Sequence, residues 1–374
     1  MDSHKLLGVA LSFVPGMDAS LVRHMDKGGV TVEEFFAVPQ QELSRRLGVK
    51  SAAFLDKMVR DEALFKAKKE SDFMQRHGIK SFSLTDEDYP SRLADNDKAP
   101  VTLFKLGDAD LDAESMLSIV GTRHATAYGM RYVANLVEDL AAYFPDLVIV
   151  SGLALGIDSA AHEAALSNKL PTVAVVAHGL NTIYPAVNRD LARRIIAAGG
   201  AILSEYPSGV TPYRSRFLER NRIVATMTDA VLVAESAEKG GAMSTAAVAS
   251  SYGRELLALP GRIGDEMSAG CNRLIRSQKA MMAGSATEIM SMLGWQQKSI
   301  KAAIPKQRDL FPELEGKEKL IYDALRFSQE PMAVDALRER TGIPIHDLMA
   351  SLGEMEFDGI LERLPGNRFS LIPY

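Results

Sequence analysis

Only one cysteine, Cys271, occurs in 374 residues. A single thiol excludes an intramolecular disulfide framework and a cysteine-rich zinc site, and it fits a reducing compartment. No apolar run reaches the ~18 residues that a membrane-spanning helix needs. The first apolar stretch lacks a Lys/Arg-rich start and a small-residue cleavage site, so it does not read as a secretory signal. No Asn-x-Ser/Thr acceptor is present. A cytoplasmic protein without membrane contact is the expectation. A strongly basic balance is also missing: net charge is −5. Any binding to nucleic acid must therefore come from a local patch.

Several nucleotide signatures are absent. No Gly-x-x-x-x-Gly-Lys-Ser/Thr occurs, which argues against a P-loop nucleotidase. No Gly-x-Gly-x-x-Gly follows the strand-like run 116–120, and the run 147–151 ends in Ser151-Gly152 rather than an acid. That pattern argues against dinucleotide binding. His162-Glu163 opens a metalloprotease-like motif, but Leu166 stands where its second histidine belongs. Neither a cofactor nor a resident metal is expected.

What is present is ordinary for a soluble globular chain: 47% hydrophobic and 24% charged residues. At ~150 residues per domain the length suits two or three domains. Residues 1–75 read as a small helical domain. Val14-Pro15-Gly16-Met17 and Leu47-Gly48-Val49 each precede a helical run. Such turns suit either a helix-hairpin-helix grip on DNA phosphates or plain helix packing. Asp18, Asp26, Glu33 and Glu34 favour packing. Residues 76–108 form a lead-in of extended segments broken by Pro90 and Pro100.

From about 114 to 294 apolar runs alternate with helical patterns. Strands are expected at 116–120, 147–151, 172–177, 201–204, 230–234 and 255–259. Helices are expected at 130–143, 159–168, 189–198, 216–226 and 244–252. That alternation is the mark of an α/β fold with a doubly wound, mostly parallel Rossmann-like sheet. Residues 76–294 would form this domain, lead-in included. Residues 295–316, rich in lysine and glutamine, read as a linker. Residues 317–374 order as three helices (319–327, 333–341, 345–357) and a hairpin around Pro365-Gly366-Asn367, which is a winged helix. Its third helix carries Asp347, Glu354 and Glu356 and no Lys or Arg. A DNA-reading helix carries Arg, Lys, Asn or Gln there, so this domain is expected to contact protein or serve as scaffolding.

In an open α/β sheet the ligand sits beyond the carboxyl ends of the strands. There the sequence gathers Gly121-Thr122-Arg123-His124, Ser151-Gly152 through Gly156-Ile157-Asp158, His178-Gly179, Glu205-Tyr206-Pro207, Gly240-Gly241 and Pro260-Gly261. Several glycine turns on one rim imply an anion crevice for phosphates. Asp158 and His162 lie four apart on a helix. That spacing suits a metal pair or a base with its orienter; an Asp capping the helix with a His packed beneath the site is commoner. The stretch 213–222 holds Arg214, Arg216, Arg220 and Arg222 against one acid, Glu219, with Phe217 among them. Guanidinium groups fork onto phosphates and an aromatic ring stacks on a base. Phosphate grips beside a stacking ring, without a base-edge code, suit a single strand.

These residues also carry a resemblance. The series Ser118-Ile119-Val120-Gly121-Thr122-Arg123, Ser151-Gly152…Gly156-Ile157-Asp158, Tyr184-Pro185…Asn188, Gly199-Gly200…Glu205-Tyr206-Pro207, Phe217…Arg220-Asn221-Arg222, Gly253-Arg254 and Gly270-Cys271-Asn272-Arg273 is similar to the DNA-processing protein A (DprA/Smf) family. The resemblance implies a protein, not an enzyme, that binds and shields single-stranded DNA during natural transformation. It also implies loading of the RecA recombinase and a homodimeric working unit. Carried over by motif, Arg123 contacts phosphate. Arg220, Asn221 and Arg222 line the groove, and Phe217 stacks on a base. Gly152, Gly156 and Ser244 supply close backbone and hydroxyl contacts, with Asn188 and Asn272 alongside. Two positions depart from the family: Leu155 replaces a usual arginine and Asn181 a commoner aspartate. The competing reading is a lysine-decarboxylase-like nucleotide phosphoribohydrolase, of which Gly240-Gly241-Ala242-Met243-Ser244-Thr245 is a loose echo. No carboxylate follows that stretch in Ala246, Ala247, Val248, Ala249 and Ser250 to act on a glycosidic bond.

Overall fold

The structure, a computed structural model, describes residues 3–49, 52–295, 314, 316–328, 331–357, 360–364 and 366–371. The chain divides into two compact units, Met1–Lys301 and Ala302–Tyr374.

Five helices open the first unit: α1 Ser3–Leu11, α2 Ala19–Lys27, α3 Val32–Ala37, α4 Gln40–Leu47 and α5 Lys57–His77. The starts of α2 and α3 are capped by local side chains. Asp18 accepts from Leu21 N–H at the head of α2, and Thr31 with Glu34 forms a capping box on α3. A carboxylate already holds the amide end that follows Val14-Pro15-Gly16-Met17, so that end is not open to phosphate. Gly48 ends α4 in the left-handed conformation, and the helix expected after it, from 51 to about 69, is α5, which starts at Lys57. The boundary drawn at 75 falls inside α5, which passes through Gly78 into β1 Ile79–Ser83. Ile79 and Phe104 lie in one buried cluster with Val9, Leu11, Phe35, Leu43 and Leu55. The helices therefore share a core with the sheet's edge.

The lead-in continues with α6 Ser91–Ala94 and β2 Thr102–Gly107. The sheet region then runs β3 Met116–Gly121, α7 Ala127–Tyr143, β4 Val148–Ser151, α8 Ile157–Ser167 and β5 Thr172–Val176. It goes on through α9 Arg189–Ala197, β6 Ala201–Ser204, α10 Arg214–Thr226, β7 Ala230–Glu235 and α11 Ala242–Ser251. It closes with β8 Glu255–Ala258, α12 Ala269–Arg276, β9 Met281–Met282 and α13 Ala286–Leu293. Among the described residues nine strands form one sheet in the order β1-β2-β6-β5-β4-β3-β7-β8-β9. The six expected strands are there and parallel. β1 and β2 extend the sheet antiparallel, so it is mixed at one edge.

Alternate residues feed two faces, as pleating demands. Val148, Val150, Val231 and Val233 pack with Ile223 of α10, Ala246 of α11 and Leu274 of α12. Leu117, Ile119, Ile149 and Leu232 pack with Val133 and Leu140 of α7, Ala161 of α8 and Ile289 of α13. α9 covers Ala174, Val176 and Ile202 on that second side. The sheet is doubly wound, and strand order reverses between β3 and β7.

Of the stretch expected as a linker, 296–313 and residue 315 lie outside the described residues. Trp295 packs edge-on against Phe144, centroids 5.3 Å apart, and so belongs to the sheet unit. The second unit has α14 Gly316–Ser328, β10 Met332–Ala333, α15 Val334–Thr341, α16 Ile345–Phe357, β11 Leu361–Leu364 and β12 Arg368–Leu371. Its strands pair antiparallel as β10-β12-β11 over a core that includes Ile321, Leu337, Leu348, Leu352 and Phe369. This is the winged helix.

Candidate nucleic-acid interface

The turns that leave β3 and β4 form one continuous rim. Gly156, at φ +76, occupies a backbone region that side chains rarely adopt. A Cβ there would lie 2.3 Å from the Thr122 carbonyl and 2.8 Å from the Arg123 backbone. Ile157 N–H donates to the Thr122 carbonyl at 3.2 Å. The turn after β4 thus seats directly on the turn after β3 only because residue 156 is glycine. Asn188 locks the arrangement from the other side. It is buried, and its Nδ2 donates to the Leu153 carbonyl at 2.9 Å and to Ser159 Oγ at 3.0 Å.

α10 closes the rim. The Arg123 guanidinium stands 5.5 Å from the centre of the Phe217 ring. Arg123 is exposed, Phe217 half-buried, and no ion pair to Arg123 occurs among the described residues. A cation over a ring face is attracted by the ring quadrupole. Arg216 lies similarly, 5.6 Å from the Tyr206 ring, and donates to the Thr211 carbonyl.

Two arginines expected in the groove are placed otherwise. Arg220 is only 4% exposed. Its Nη1 donates to the Val175 carbonyl at 3.0 Å, and its buried Nε has no partner among the described residues. A Cβ on Gly152 would fall 1.6 Å from that Nη1. Arg220 therefore lies beneath the Gly152 turn. Burial pushes its pKa down, and buried Asp158 opposes that shift; burial pushes Asp158 up, and Arg220 holds it back. Arg222 is closed as well. Its Nη1 and Nη2 fork onto Glu205 at 2.7 and 2.5 Å, and its Nε donates to the Lys98 carbonyl at 2.7 Å. It braces α10 to the lead-in. Both placements share one cause: the partners come from other parts of the chain.

The remaining expected residues set the backbone. Asn221 Nδ2 donates to Ser244 Oγ at 3.0 Å, tying α10 to the start of α11. Asn272 bonds both the N–H and the carbonyl of Gly261, at 3.1 and 2.9 Å. Neither contact lies on the Arg123–Phe217 pair. His162 packs beneath the rim as in the commoner of the two roles, but Asp158 does not cap α8: it lies within the helix and its Oδ2 accepts from Ala154 N–H at 3.3 Å. Thr172 Oγ1 gives its proton to the Ile149 carbonyl, so His162 Nδ1 donates to that oxygen at 2.8 Å. Burial holds its pKa at about 3. Among the described residues no cluster of His, Cys, Asp and Glu has the arrangement of a metal site.

Sequence reasoning passed over two residues here. Glu70 of α5 accepts from Ser208 N–H at 2.8 Å and from its hydroxyl, so the amino-terminal helices brace the rim. Tyr184 places its ring 5.8 Å from Phe217. Its only local signal was the Tyr184-Pro185…Asn188 spacing.

The family model for DNA recombination-mediator protein A matches residues 80–294, and the model for the DprA winged helix domain matches 305–367. The chain belongs to the DNA recombination-mediator protein A (DprA/Smf) family. Protein Smf of Escherichia coli K12 is 35% identical over 289 residues, spanning 75% of this chain and 74% of that one. DNA processing protein DprA of Streptococcus pneumoniae is 39% identical over 211 residues, 56% of this chain and 73% of that one. A solved DprA structure from S. pneumoniae superposes with a TM-score of 0.57 at 31% identity, covering 73% of this chain and 97% of that one. DNA processing protein A of Helicobacter pylori, which binds single-stranded DNA, gives 0.52 at 31% identity, with 59% and 97% covered.

Proposed function

We propose that the rim of the large sheet holds single-stranded DNA without cutting it. The observation that carries this reading is the exposed Arg123 guanidinium against the Phe217 ring, on a turn held in place by the close seat of Gly156. Arg123 offers a fork to a phosphate and Phe217 a face to a base. Arg220 acts from below: packed under the Gly152 turn and bonded to the Val175 carbonyl, it holds that turn in place. The H. pylori relative's binding of single-stranded DNA supports the same assignment. In this reading the protein is a cytoplasmic recombination mediator. It shields a strand during natural transformation and passes it to RecA, and it works as a homodimer.

The test is a gel shift with single- and double-stranded oligonucleotides at two salt concentrations. Preference for the single strand, weakening as salt rises, supports the reading. Equal or stronger binding of duplex overturns it. Recovery of intact oligonucleotide, and no base released from nucleoside monophosphates, accompanies a binding role. Turnover far above the blank would favour the phosphoribohydrolase.

A further inference from the structure

Phe217 is not the only ring on this rim. Tyr184 lies with its ring plane turned 54° from that of Phe217, and 48% of it is exposed. Its hydroxyl makes no hydrogen bond among the described residues. The backbone beneath it is fixed. Tyr184 N–H donates to His178 Nε2 at 3.2 Å, and His178 Nδ1 lies 3.0 Å from the Gly179 carbonyl. A main-chain N–H only donates, so Nε2 is the acceptor and Nδ1 carries the proton. His178 is fully buried and anchored in turn, its carbonyl accepting from Ser204 Oγ at 2.7 Å.

Two further apolar side chains are exposed near Tyr184 in the chain or on a turn bonded to its segment. Val187 is 72% exposed on the following turn. Leu155, also exposed, sits on the turn that Asn188 ties to it through the Leu153 and Ala154 carbonyls. Single exposed apolar side chains are commonplace. Here three occupy two bonded turns, and Tyr184 adjoins the Arg123–Phe217 pair. With the rings 54° apart, one base cannot lie flat on both. Two rings at that angle serve two bases.

We propose that Tyr184 is a second base-stacking platform, taking the base next to the one on Phe217, with His178 as its positioning residue and Leu155 and Val187 carrying the strand onward. This rests on the reading of the rim as a single-strand site. The ligand class is an unpaired polynucleotide with free base faces; duplex DNA, whose bases are already stacked, offers none.

The test titrates a labelled oligothymidylate against full-length wild type, Phe217→Ala, Tyr184→Ala and Tyr184→Phe across a salt series. Tyr184→Ala weakens binding about tenfold with an unchanged salt slope, because stacking releases no counterions. Tyr184→Phe keeps the affinity. His178→Gln combined with Tyr184→Ala loses no more than Tyr184→Ala alone, which a merely structural histidine would not produce. On unmodified protein, photo-crosslinking with 5-iodouracil-substituted strands gives adducts at both Tyr184 and Phe217. Adducts at Phe217 alone, or wild-type affinity in folded Tyr184→Ala, overturn the second platform. If Phe217→Ala weakens binding and Tyr184→Ala does not, only this inference falls. If wild type shows no preference for single strands, the reading of the rim falls with it.

Discussion

The rim of the large sheet and α16 of the winged unit both occupy positions where proteins of their architecture meet nucleic acid, and their side chains make them opposites. The rim exposes Arg123 beside an aromatic ring and backs its glycine turns with a buried arginine. α16 exposes Ile345 and Met349, carries no Lys or Arg, and pairs Asp347 with Lys317 at 2.8 Å. On the proposed reading the first surface suits phosphates, while the second offers them no cation on its exposed helix. A fold supplies the position for an interface; charge and surface chemistry decide its ligand.

The comparison breaks most visibly at Gly156. Gly156→Ala forces a Cβ into the Thr122 carbonyl and demands a disfavoured backbone angle. Single-strand affinity should fall at least thirtyfold, and stability by about 2–4 kcal/mol. At Gly353 of α16 nothing lies within 4 Å of where a Cβ would stand, so alanine there should leave binding unchanged. Titration and chemical denaturation of both variants check this.

A second experiment sharpens the division among the rim's own arginines. Arg222→Ala leaves a poorly exposed Glu205 without its partner. It should cost about 2–3 kcal/mol of stability while leaving the salt slope of binding nearly unchanged. A slope that drops in a fully folded variant would return Arg222 to the groove.

Acidification separates the two units. His162 has a folded pKa of about 3 against the ordinary 6.5. Below pH 6.5 the unfolded chain takes up a proton that the folded chain refuses, so stability falls as pH falls from 6.5 towards 3. By about pH 4.5 this group alone costs roughly 2–3 kcal/mol. The winged unit's histidine, His346, is exposed to solvent rather than enclosed in a core. Calorimetry between neutral and mildly acidic pH should show the transition of the sheet unit shifting down, and His162→Gln should flatten that shift.

The smallest effect is expected from removing residues 300–374. Single-strand affinity should change less than twofold, since α16 offers a strand no cation. Loss of most binding would give the winged unit a role in DNA contact.

Much of this was legible in the sequence because it depends on local signals. Continuous Val/Ile/Leu runs ending in glycine turns marked six parallel strands. β1 escaped notice because Ile79-Lys80-Ser81-Phe82-Ser83 is short and half polar, and its partner β2 follows Pro100. β9 has two residues. Pairing at a sheet edge is a tertiary fact. At the site, Arg123 and Phe217 could be picked out by residue type. The roles of Arg220 and Arg222 could not. Burial under Gly152, the Val175 carbonyl 45 residues away and Glu205 at a separation of 17 all depend on the folded chain. Arginine density alone does not distinguish a ligand from a brace.

The most direct measurement is the salt dependence of single-strand affinity in wild type, Arg123→Ala and Phe217→Ala. If the strand lies on this pair, Arg123→Ala lowers the slope of log K against log salt by about 0.7 for each phosphate no longer held. Phe217→Ala weakens binding about tenfold and leaves the slope alone. Wild-type slopes and affinities in both folded variants would place the strand elsewhere.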